Sequence, residues 1–150
     1  MVGKVVGYHP RVPDGAYKVK YCGYETARSW NAAKVAVKFA IVEGDLAGIP
    51  LTRYYNAIQL YDPIGPNGEF DVGDRSHLLK EYRSLLLDVR STSEIDLDHY
   101  KGMVILAQVG TTKKTGTGEE LSESNQYSVV RKLLEIVPES YEPESATKLG

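Results

Sequence analysis

Residues 34 to 41 read Lys-Val-Ala-Val-Lys-Phe-Ala-Ile, a strict alternation of period two. Successive side chains of a strand point to opposite faces, so this pattern predicts a half-buried β-strand. Val35, Val37, Phe39 and Ile41 make its core face, and Lys34 and Lys38 share the other face with Ala36 and Ala40. Such a strand needs neighbours on both sides, and the flanking sequence supplies them. Residues 16 to 24 read as a preceding strand in which Lys18 and Lys20 share a face with Cys22 and Tyr24. The Gly-rich stretch Glu43-Gly-Asp-Leu-Ala-Gly-Ile-Pro50 is a turn. It leads to a third strand, residues 51 to 58, from which Arg53 and Tyr55 project together while Tyr54 points the other way. A loop of roughly ten residues is expected between the first two strands. It carries Arg28 and Trp30, and a Trp in a loop of small neighbours has more reason to meet a ligand than a core.

Beyond the third strand, residues 61 to 74 are rich in Pro and Gly and without period, which predicts a loop. Leu78, Leu79, Tyr82, Leu85 and Leu86 then fall on one helical stripe, with Lys80, Glu81, Arg83 and Ser84 opposite and Asp74 or Ser76 as the cap. Residues 103 to 109 read as a buried fourth strand. A polar loop follows, residues 110 to 125, with Lys113 and Lys114 in it, before a fifth strand at 127 to 136, where a helix is the alternative. Val5-Val6 suggests a short extra strand, and residues 138 to 150 a flexible tail after a domain of residues 1 to 137.

Three strands, a helix and two strands in one chain of 150 residues is the order of an OB-fold, a five-stranded Greek-key barrel. That fold binds oligonucleotides or oligosaccharides on its second and third strands and its first-second and fourth-fifth loops. The residues placed there are Arg28, Trp30, Lys34, Lys38, Arg53, Tyr54, Tyr55, Lys113 and Lys114, with Lys18, Lys20 and Tyr24 on the adjoining first strand. A net charge of -2 argues against a polyanionic partner until it is divided along the chain. Residues 1 to 59 hold eight Lys and Arg against four Asp and Glu, whereas residues 60 to 150 hold ten against sixteen. The basic half contains the lysine strands, and cations interleaved with aromatic rings are what a single strand of nucleic acid offers its phosphates and bases to.

Other chemistry is less well supplied. The single Cys22 excludes an intramolecular disulfide and a multi-cysteine zinc site, and His9, His77 and His99 have no metal-binding spacing. Asp96 and Asp98 are the best pair for a divalent metal and a nuclease reaction, in a run that reads more simply as solvated loop. GPNGEF and GTGEE lack the phosphate-cradling glycine patterns. No cofactor, no metal and no catalysis are expected, and with no signal-like or membrane-length apolar run the expected location is the cytoplasm.

The segments VPDGAYKVKYCGYE, KVAVKFAIVEGDLAGIPLTRYYN, KGMVILAQVG and QYSVVRKLLEI together resemble a group of small OB-fold single-stranded DNA-binding proteins from phages and integrative mobile elements. The resemblance implies binding of single-stranded DNA with little sequence preference, in replication or recombination of such an element. It leaves RNA as an alternative ligand and a homo-oligomer open. A protein-interaction or structural module of the element is the rival reading. Bacterial replicative binders end in an acidic tip closed by an apolar pair, whereas this chain ends Thr147-Lys-Leu-Gly150, so docking through such a tip is not expected.

Overall fold

The computed structural model describes residues 9–29, 31–86, 94–114 and 118–138. Its main sheet holds β1 (Gly15–Ser29), β2 (Ala32–Ile41), β3 (Pro50–Asn56), β6 (Val104–Thr112) and β7 (Tyr127–Ile136). A two-stranded hairpin, β4 (Gln59–Leu60) with β5 (Phe70–Asp71), and one helix, α1 (His77–Leu85), intervene between β3 and β6. The five long strands are antiparallel in the order β3-β2-β1-β6-β7. Among the described residues no helix is long and apolar enough to cross a membrane.

Alternation builds the core as expected on β2, where Val35, Val37, Phe39 and Ile41 are buried. Facing them are Val19, Tyr21, Leu51, Ile105, Val109, Val130 and Leu133 from the other strands and Leu78, Tyr82 and Tyr100 from the helical pieces. Ser76 caps α1 by accepting from the Leu79 N–H at 3.2 Å, which satisfies one of the helix's orphan donors.

Three features differ from the sequence expectation, each for a local reason. First, the pairing of β1 with β2 shifts between Tyr21 and Gly23, leaving Cys22 as a bulge. Gly23 adopts φ 117, open to glycine and costly for other residues. Beyond the bulge the faces exchange. Tyr24 and Thr26 therefore pair with the core residues Val37 and Val35, and Tyr24 does not share the face of Lys18 and Lys20. Second, the expected ten-residue loop is largely strand. β1 and β2 stay paired to Ser29 and Ala32, with only residues 30 and 31 between them, and Asn31 takes a positive φ of 67. Trp30 lies outside the described residues, as do Val5, Val6 and the expected tail from residue 139 on. Third, residues 57 to 73 are anchored to β1. Thr26, 2 % exposed, exchanges backbone and side-chain hydrogen bonds with Gly65, and the Asn67 N–H donates to the Tyr24 carbonyl at 3.1 Å. Gly68 fits beneath because a Cβ there would collide with Thr26 Oγ1.

The expected barrel is found only as its sheet. β3 and β7 are edge strands; they approach each other, but no ladder of hydrogen bonds joins them among the described residues, and the sheet is open. Two elements occupy that seam. At one end α1 packs against both edges. At the other, the segment before β1 ties to the start of β7. There Ser128 N–H donates to the Pro10 carbonyl at 2.9 Å and Ser128 Oγ accepts from Val12 N–H at 2.8 Å.

Candidate nucleic-acid interface

The outer face of β1, β2 and β3 is where the strands leave their polar residues. Register places Lys20 beside Ala40, Glu25 beside Ala36 beside Tyr54, Lys38 beside Thr52 and Lys34 beside Asn56. The alanines form a low floor between projecting lysines. Tyr54 is the exposed ring of this surface, 39 % accessible. Lys20 is exposed and makes no ion pair among the described residues. Lys34 Nζ donates to Asn56 Oδ1 at 2.6 Å, a neutral partner, and makes no ion pair among the described residues. Lys38 meets Glu25 at 3.4 Å and Lys18 meets Glu43 at 3.7 Å. Both pairs are partly solvated and so weak, readily exchanged for a phosphate.

Other expected contact residues are placed differently. Tyr24 turns inward past the bulge, donates to the Gly68 carbonyl at 3.0 Å and packs edge-on against Phe70 at 5.7 Å. Arg28 is exposed near the β1–β2 turn. Lys113 and Lys114 are exposed beyond the end of β6, which the register puts past the opposite end of β1, and the backbones of Lys114 and Glu120 form an isolated antiparallel pair. The two loops thus leave opposite ends of the lysine face.

Arg53 and Tyr55 require correction, because they face inward and Tyr54 outward. Leu51, Arg53 and Tyr55 share one side of β3, and Leu51 and Tyr55 are core. Arg53 is neutralised there by Glu81 of α1, which the helical stripe had assigned to solvent and which is 7 % exposed. Glu81 Oε2 accepts from Arg53 Nη2 at 2.7 Å, and Glu81 Oε1 accepts from Tyr55 Oη at 2.6 Å and from the Leu133 N–H of β7 at 3.4 Å. The guanidinium lies 4.3 Å from the Tyr55 ring centre. Burial alone disfavours the Arg53 cation, but the hydrogen bonds it donates to Glu81 and the neighbouring charges raise its pKa overall. One buried carboxylate therefore holds both edges of the open sheet.

The side of β1 toward which Tyr24 turns is acidic. Beneath the β4–β5 hairpin, clefts walled by Tyr24, Phe70 and Ile95 are rimmed by Glu69, Asp71, Glu94, Asp96 and Asp98. This surface repels a polyanion. Asp96 and Asp98, the residues considered for metal chemistry, have structural partners: Asp96 Oδ1 caps the 3-10 turn Leu97–Tyr100 through the Asp98 N–H at 3.0 Å, and Asp98 meets Lys101 at 3.5 Å.

The tyrosines of the interior set an alkaline limit. Burial, and then Asp98, push the Tyr21 hydroxyl from 10.0 up to about 12, and burial followed by Glu81 raises Tyr55 and Tyr100 as well. Tyr21 and Tyr100 hydroxyls have no hydrogen-bond partner among the described residues. A raised folded-state pKa favours the native state below the ordinary value and loses that advantage as pH climbs through the raised one. The melting temperature is therefore expected to hold up to pH 10 and fall between 10 and about 12. Tyrosinate absorbance from these rings should appear together with unfolding. Ionisation of every tyrosine near pH 10 in a still-folded protein would contradict this burial.

No protein-family model, curated protein or solved structure matches this chain.

Proposed function

We propose that this protein binds single-stranded nucleic acid, DNA in the first instance, on the outer face of β1, β2 and β3, without turnover. The observation that carries the reading is the collection of Lys20, Lys34 and Lys38 around the exposed Tyr54 on an alanine floor. Phosphates find cations and bases find a ring, neither of which reads sequence. The acidic clefts beneath the β4–β5 hairpin disfavour a polyanion there and leave the lysine face as the favoured approach. The strand order, with β1 between β2 and β6 and the edges β3 and β7 approaching one another, supports reading the sheet as a partly open OB barrel. Service in replication or recombination of a phage or mobile element rests on the sequence resemblance described above.

Titrating labelled oligo-dT with the full chain, against a duplex of equal length, tests the proposal. Tighter binding of the single strand, weakening steeply with salt, is the expected result; no binding at low salt, or equal affinity for the duplex, would refute it. A second reading, a protein-docking module, draws on Ile58, Tyr61 and Ile64, which are 70 %, 39 % and 40 % exposed around the β4–β5 hairpin. An apolar contact of that kind would hold its affinity as salt rises.

A further inference from the structure

The seam between β3 and β7 gathers aromatic groups that the lysine face does not use. Tyr127, the first residue of β7, is half-buried, and its ring lies 4.7 Å from that of His9 at a tilt of 35°. His9 stands just before Pro10, whose carbonyl is held by Ser128, so the pair is fixed by backbone hydrogen bonding. Across the seam is Tyr54, and His9, Tyr54 and Tyr127 line one cleft with Pro50, Thr52 and Val129. The phenols of Tyr54 and Tyr127 are close enough that, after burial, Tyr127 is the next influence raising the Tyr54 pKa. The space inside the cleft is about 30 Å³, room for a water molecule and not for a base. A ligand must therefore lie over the ring faces and edges and not enter between them. Such rings are stacking platforms for flat groups, and Lys38 and Thr52, paired in register beside Tyr54, connect them to the basic surface.

We propose that a bound single strand leaves the lysine face over Tyr54 and crosses the open seam onto Tyr127 and His9, stacking consecutive bases on the two edge strands. The inference rests on the single-strand reading above and specifies the path. It gives the missing β3–β7 ladder a use: an unpaired seam lets rings from both edges stand at one surface.

The test uses the full chain and oligo-dT anisotropy over a series of salt concentrations, with affinities compared at equal salt. Tyr127→Ala and Tyr54→Ala should each weaken binding about tenfold. The salt slope should be unchanged, since no phosphate contact is removed, and Tyr127→Phe should bind as the wild type does. On an oligomer of abasic spacers of the same length, the wild type and Tyr127→Ala should bind equally. Photocross-linking of wild-type protein to 4-thiothymidine oligomers should place adducts on His9, Tyr54 or Tyr127, and this readout does not depend on any variant folding. Wild-type binding with a folded Tyr127→Ala unaffected, or adducts confined to other peptides, would overturn the seam path while leaving the single-strand reading intact. A wild type that ignores oligo-dT would overturn both.

Discussion

Replacing Glu81 by Ala is expected to cost about 3–5 kcal/mol of folding stability, the usual penalty for removing one partner of a buried ion pair. The Glu81 side chain is 8 % exposed and that of Arg53 14 %. The variant would leave a guanidinium in the core with no counter-charge and the Tyr55 hydroxyl and Leu133 N–H without their acceptor. The loss falls where α1 connects β3 to β7, so the seam should loosen first, with faster amide exchange in β3 and β7 than in β1. Glu81→Gln keeps an acceptor for Tyr55 but not the charge and should fall between the wild type and the Ala variant. The double change Arg53→Met with Glu81→Leu removes both charges together and should cost well under the sum of the single changes. Urea denaturation of these proteins, together with the single Arg53→Met and Glu81→Leu variants, measures these differences. A Glu81→Ala variant within about 1 kcal/mol of wild type, the range of an exposed pair, would show that the carboxylate does not hold the seam.

Glu81 also shows where reading the sequence stops. A carboxylate is almost never fully buried unless paired, and its partners Arg53 and Tyr55 stand 28 and 26 residues earlier, on another element. Nothing local announces that meeting. Helical geometry does place Glu81 between Leu78 and Leu85 on the buried stripe, so its position was legible and its partner was not. On β3 the parity of Leu51, a core residue, already carried Arg53 and Tyr55 inward with it. The bulge in β1 had its own signal in Gly23, because a glycine inside a strand pattern marks a bulge or a close approach. By contrast, β2 was readable almost to its ends, since its alternation is local and it has a buried face, whereas β7, for which a helix was the alternative, loses alternation at the bulges of Arg131 and Leu134.

The proposed binding surface was legible in its charges and less so in its aromatic rings. Lys20, Lys34 and Lys38 follow from alternation alone, whereas which tyrosines stay outside depends on the bulge, on Glu81 and on the packing of the loop before β5. His9 and Tyr127 come together through Ser128 and Pro10, a contact between residues more than a hundred positions apart, which no periodicity reports.

Changing Lys20, Lys34 and Lys38 together to Ala is the other large expected effect. On single strands each phosphate neutralised adds roughly 0.7 to the salt slope of log K, so three contacts contribute about 2, or about 100-fold in affinity near 0.1 M salt. Arg53 is not counted, because Glu81 holds its charge inside the fold. Lys18 is left unchanged in this variant; its pair with Glu43 is as weak as that of Lys38 with Glu25, so any phosphate contact it makes stays in the remaining slope. The triple variant should keep its stability, since the pair lost between Lys38 and Glu25 is solvated on both sides and the core face of β2 is untouched. Lys113→Ala with Lys114→Ala, beyond the far end of β6, makes the comparison. If the strand lies on the lysine face, this second variant flattens the slope less than the triple one. A triple variant with the wild-type slope and affinity would remove the outer face of β1 and β2 from the binding path, whatever else the protein does with DNA.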